Sequence, residues 1–142
     1  MMLAKEEREN AIALLSNEKC SCVIRNGDTI RIFRKRGVQD LLCLLHTEPD
    51  FVAGAFIADK VVGKGAAALM VLCRFGEVFA EVISTPARRM LEEANIRVEF
   101  SVEVANIINR TNTGICPVES LCMECRTAEE CLPLIEGFVA SR

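Results

Sequence analysis

Two stretches carry residues whose types and spacing can do chemistry. The first is Gly63-Lys64-Gly65, between two valines and the apolar run Ala66 to Cys73. A strand that turns through glycine and lysine into an apolar helix presents unpaired N–H groups and a positive dipole end. Such a corner can hold an anion, and Lys64 adds a point charge. A plain strand-to-helix corner with a solvated Lys64 fits the same residues, and the two readings stand level. It is not a Walker A loop, because Gly65 follows Lys64 and the leading glycine spacing is missing. The second stretch is the C-x5-C-x2-C-x5-C pattern of Cys116, Cys122, Cys125 and Cys131. Four thiolates can ligate zinc or an iron–sulfur cluster. The surrounding sequence reads as helical and Cys131 lies in an apolar run, so buried reduced thiols are the plainer reading.

Other candidates are weaker alone. Cys116-Pro117-Val118-Glu119 opens a short helix. Cys116 is then a candidate nucleophile or redox thiol and Glu119 a candidate acid/base, against the simpler view that both merely start a helix. Asp59 and Lys60 read as a surface turn, with Asp59 available to hold a ribose hydroxyl or to position Lys64. Arg36 and Gly37 precede a second helix and offer either a solvated turn or a second anion-facing helix start. Asn109 belongs to the polar loop 106–114, the loop best suited to carry function. His46 stands alone near a helix end and receives no catalytic role.

The chain has 142 residues, 51% hydrophobic and 26% charged, which fits one globular domain with a core about 20–139 and an N-terminal helix over 1–19. Net charge is -3 and the pI about 5.3, which argues against nucleic-acid binding through bulk charge. Met1 to Ala4 lead directly into Lys5-Glu6-Glu7-Arg8-Glu9 with no signal-peptide core, and Ala66 to Cys73 is too short to span a bilayer. The expectation is a cytoplasmic protein with no membrane partner and its 8 cysteines reduced. With no Trp or Tyr, a stacking site would use a Phe, an Arg or aliphatic side chains.

The elements that position these residues follow from periodicity and turn chemistry. Leu3 to Asn17 reads as an amphipathic helix. Cys20–Arg25 and Thr29–Arg34 flank Asn26-Gly27-Asp28, a hairpin turn, with Ile30 and Ile32 inward. Val38 to Leu45 is a helix stopped before Pro49. Phe51 to Ala58 is a buried strand ending at a polar Asp59-Lys60 corner. Val78–Ile83 is a strand, and Thr85 caps a helix with Pro86 at its first turn. Asn95 ends that helix, Ile96 begins the next strand, and Thr127 to Glu130 forms a capping box for the last helix. The fold class is α/β: a three-layer α/β/α sandwich with a mixed five-stranded sheet.

This order resembles the cytidine deaminase-like fold, and more closely a small bacterial domain family of unknown function within that superfamily. The matching residues are Ala58-Asp59-Lys60-Val61-Val62-Gly63-Lys64, the Arg36-Gly37 helix start, and Cys116-Pro117-Val118-Glu119 after an Asn/Thr/Gly loop. Deaminases of that superfamily hold zinc through a His/Cys-Ala-Glu motif at one helix start and a Pro-Cys-x-x-Cys motif at the next. The topology puts these near Arg36 to Asp40 and Val62 to Ala67, where no His and no Cys occurs. The resemblance therefore implies a zinc-free pocket at the strand ends that takes a phosphorylated or nucleotide-like small molecule. Arg36, Gly37, Asp59, Gly63, Lys64 and Asn109 would bind it, Cys116 and Glu119 would carry any chemistry, and no cofactor is called for. It also implies a homo-oligomer. The alternatives are a metal, iron–sulfur or redox protein built on the C-terminal cysteines, and an interaction domain whose site is lost.

Overall fold

The computed structural model describes residues 5–17, 19–35, 38–109 and 111–141. Arg36, Gly37 and Ala4 lie outside the described residues, as does Arg110 of the polar loop. Five strands form one mixed sheet: β1 (Cys22–Asn26), β2 (Thr29–Phe33), β3 (Phe56–Val62), β4 (Glu77–Ser84) and β5 (Arg97–Val104), in spatial order β2-β1-β3-β4-β5. The hairpin β1–β2 turns through Gly27 and Asp28, between the paired Asn26 and Thr29; Gly27 takes a left-handed φ of 59°, whereas Asn26, expected to share it, stays in β1. β1 also runs antiparallel to β3, whereas β3, β4 and β5 are parallel.

The helices are α1 (Lys5–Asn17), α2 (Gln39–Thr47), α3 (Pro49–Val52), α4 (Lys64–Cys73), α5 (Thr85–Glu93), α6 (Pro117–Leu121) and α7 (Ala128–Ala140). Strand alternation divides the core across the sheet. Val23, Phe56 and Ala58 pack with Ala11 and Leu15 of α1 on one face. Ile24 and Ile57 face the larger core of α2, α4, α5 and α7. Ion pairs fasten α1: Arg8 to Glu77 at 3.0 Å and to Glu99, and Arg25 to Glu7 at 2.9 Å. α4 is apolar nearly all round and buries Gly65 to Met70, touching α2, α5, α6 and α7. Gly65 is needed here, because a Cβ would collide with Val118 of α6.

Four expectations are corrected. Phe51 does not begin a strand: Pro49 starts α3 at its first turn, Gly54 (φ 77°) reverses the chain, and β3 begins at Phe56. The polar pair Asp59-Lys60 then lies inside β3, where the helical cover of the sheet gives way to an opening. Ser84, rather than Thr85, caps α5, its Oγ accepting from the Ala87 N–H at 3.2 Å. Thr85 Oγ1 donates instead to Glu103 Oε2 at 2.7 Å. Ile30 is exposed at 36%, so only Ile32 of that pair joins the core face.

Candidate functional site

β3 carries Asp59 and Lys60 in its middle, and Gly63 and Lys64, just past its end, start α4. The starts of α2 and α6, the segment before β1 and the loop after β5 converge on the same place. Between them lies an open cleft of about 1210 Å³. It brings together Asp59, Gly63, Asn109, Cys116 and Glu119, the sequence candidates among the described residues apart from Lys64. Lys19, Arg34, Lys35 and Lys60 also line it.

Glu119 is 1% exposed and is the best-connected side chain here. Its Oε1 accepts from the Lys64 N–H at 2.7 Å and from Ser84 Oγ at 2.7 Å, and its Oε2 accepts from the Ile107 N–H. The carboxylate therefore joins α6, the start of α4, the end of β4 and the loop after β5. It also supplies, from within the protein, the anion that a helix N-terminus favours. Three donors on one buried carboxylate make an anchor of the cleft floor.

Lys64 turns its side chain to the other side of the corner. Its Nζ donates to the carbonyls of Cys125 at 2.6 Å and Met123 at 3.0 Å, beside a second cavity of about 380 Å³. Its ammonium holds the turn between α6 and α7 and does not line the cleft.

Asp59 keeps a solvent-facing side in the cleft, and Oδ1 accepts from the Val61 N–H at 3.3 Å. Burial by the surrounding strands pushes its carboxyl up to about 7, against the opposing pull of backbone N–H groups. Cys22, directly across in β1, is raised by burial and by Asp59. Asn109 shapes its own loop: its carbonyl accepts from the Thr113 N–H at 3.0 Å and its amide donates to Thr113 Oγ1 at 3.1 Å. Cys116 caps α6 and is half-buried at the cleft wall.

The other cysteines lie elsewhere. All eight are free; Cys122 and Cys131 are buried in the core that α4 shares with α7, and Cys125 packs against it. Among the described residues, no group of three or more His, Cys, Asp or Glu side chains is arranged to hold a metal ion. His46-Thr47-Glu48 does have His-x-Glu spacing, but at the far end of α2: His46 pairs with Glu136 at 2.9 Å and Glu48 with Arg31 at 2.7 Å. Among the described residues, no helix is long and apolar enough to cross a membrane.

The residues that sequence reasoning missed are Ser84, Lys19, Arg34 and Lys35, while Lys60 was read only as part of a surface turn. Arg34 and Lys35 adjoin Arg36 in a basic run that fits a solvated turn equally well, and nothing local links Ser84 to Glu119.

The arrangement is an α/β domain with a mixed five-stranded sheet and a cleft at the carboxyl end of β3. The chain belongs to the TM1506 family, a domain of unknown function (DUF1893), whose profile matches residues 10–139. Its fold is similar to the crystal structure, at 2.70 Å resolution, of a DUF1893 family protein (TM1506) from Thermotoga maritima. The two share 22% sequence identity over 96% of this chain and 92% of the other, with a TM-score of 0.86. No curated protein matches the chain.

Proposed function

We propose that the chain binds a phosphorylated, nucleotide-like small molecule in the cleft and that it is a zinc-free relative of the cytidine deaminases. The observation that carries this reading is the concentration of Lys19, Arg34, Lys35 and Lys60 around one cleft in a protein whose net charge is -3. Cations gathered at a concave site favour an anionic ligand, and the cleft volume accommodates a nucleotide. Asp59 stands where it can accept from a ribose hydroxyl, and Gly63 keeps the floor low. Cys116 is the nucleophile available if a reaction follows. Arg36 and Gly37 remain part of the proposed set through their place before α2, and Lys64 contributes by position, its charge being engaged elsewhere.

The test is native mass spectrometry of freshly purified protein, followed by titration with nucleoside monophosphates read by thermal shift. The expected result is a nucleotide-sized adduct or a ligand-dependent rise in Tm, both weakened by Lys35→Glu. No adduct and no shift with any nucleotide would overturn the reading. The same spectrum counts copies and so tests the expected homo-oligomer.

A further inference from the structure

The cleft is built differently at its two ends. At one end the backbone draws cations together. Ser21, just before β1, donates its N–H and its Oγ to the Phe33 carbonyl at the end of β2, at 2.8 and 3.0 Å. Its own carbonyl accepts from the Lys60 N–H of β3 at 3.1 Å. Lys19, Arg34 and Lys35 lie within two residues of Ser21 or Phe33, so this knot gathers all four cationic side chains that line the cleft. Asp59, and Asp40 whose Oδ2 accepts from the Lys35 N–H at 3.1 Å, temper that charge without cancelling it.

At the other end the lining is apolar. Cys116 donates its N–H to the Ile107 carbonyl at 2.8 Å, and Ile108 bridges to Ile115. These bonds bring Ile107 and Ile108 to the cleft wall that Pro117 and Val118 share. Ile108 is 52% exposed, and Val61, one residue past Lys60, is 48% exposed. The polar side chains at this end are already engaged. Glu119 accepts from three donors. The amide of Asn109 bonds within its own loop, and Thr111 Oγ1 bonds Asn109 and Thr113. The Cys116 thiol is a weak donor. This end therefore offers apolar surface and little with which a side chain could read the edge of a ring.

We propose that the cleft takes a nucleoside polyphosphate by its phosphates and by the bulk of its base, without selecting which base. The proposal rests on the reading of the cleft as a phosphate site and adds how that site selects. Each further phosphate adds attraction to the cations around Ser21. The base adds affinity by taking Ile108 and Val61 out of water, which any base does. Strong discrimination between similar rings needs polar groups that one ring satisfies and another leaves unpaired. The engaged side chains of Asn109, Thr111 and Glu119 do not provide them.

Isothermal titration calorimetry in metal-free, low-salt buffer compares ATP, GTP, CTP and UTP with AMP, adenosine and inorganic triphosphate. The four nucleoside triphosphates should bind within about threefold of one another, and ATP should bind about tenfold or more tighter than AMP. Inorganic triphosphate should bind about tenfold more weakly than ATP, and adenosine should give no heat. Ile108→Ser, at an exposed position, should weaken ATP and leave inorganic triphosphate unchanged, whereas Lys35→Glu should weaken both. A preference of more than about tenfold for one base, AMP matching ATP, or inorganic triphosphate matching ATP would overturn the proposal and leave a phosphate site in place. Binding by none of these compounds would overturn the phosphate site itself and the proposal with it.

Discussion

Replacing Glu119 tests whether it anchors the fold or serves as a dispensable acid/base. Glu119→Ala removes the acceptor of three donors, the Lys64 N–H, Ser84 Oγ and the Ile107 N–H, at a position 1% exposed. A buried donor left without a partner costs about 1–3 kcal/mol. Some of these donors will reach water once the side chain is gone, so the lower end of that range applies to each and the sum is about 3 kcal/mol. Against a typical domain stability of about 5–15 kcal/mol, such a loss removes a large share of what holds the fold. Its Tm should fall by about 10 °C. Glu119→Gln keeps the shape, but an amide offers one acceptor oxygen and an NH2 group that must face a donor. Its loss should be about 2 kcal/mol. Urea unfolding followed by far-UV circular dichroism measures both. If Glu119→Ala stays within about 1 kcal/mol of wild type, the carboxylate is not an anchor and the argument from its three donors fails.

Three further perturbations separate the remaining parts. Lys64→Met removes the hold on the Met123 and Cys125 carbonyls, and amide exchange over 122–127 should speed up; unchanged exchange would show that the ammonium holds nothing there. Gly65→Ala places a Cβ against Val118 and should destabilise the protein by about 1–3 kcal/mol, so a neutral result in urea unfolding would show that α4 and α6 part easily. Asp59 makes stability pH-dependent. Its carboxyl is pushed from 3.8 to about 7 in the fold, so between those values the folded chain holds a proton the unfolded chain has released, and stability falls as pH rises. The full shift corresponds to about 4 kcal/mol, reduced to about 2 kcal/mol because the carboxyl keeps a solvent-facing side. Wild type should therefore lose about 2 kcal/mol between about pH 3.5 and pH 8.5 relative to Asp59→Asn; parallel profiles would refute the assignment.

The parts of the fold that local chemistry decides were legible in the sequence. Within Asn26-Gly27-Asp28 the hairpin turn was legible, although only Gly27 takes the left-handed conformation and Asn26 stays in β1. Thr127 and Glu130 cap α7 reciprocally, as their spacing predicts. Asn95 takes the left-handed conformation that ends α5. The start of β3 was not legible, because Phe51 to Ala58 is apolar throughout and apolar continuity alone does not distinguish a short helix and turn from a strand. Pro49 was visible but was read as a stop for α2, when it also starts α3.

The site divides along the same line. Asp59, Gly63, Asn109 and Cys116 reach one cleft because topology brings strand ends and helix starts together, and the element order already implied that. The direction in which Lys64 points was not implied. A lysine at the first turn of a helix can face the opening or fold back, and the choice depends on the carbonyls of Met123 and Cys125, about sixty positions later in the chain. Glu119 has the same property, since its partners come from positions 64, 84 and 107. A helix start with glycine and lysine looks from sequence like an open anion site. Here Glu119 already takes the first N–H of α4, so any anionic ligand must rely more on the cleft's cationic side chains than on that amide. That makes Lys19, Arg34, Lys35 and Lys60 the residues on which binding experiments should concentrate.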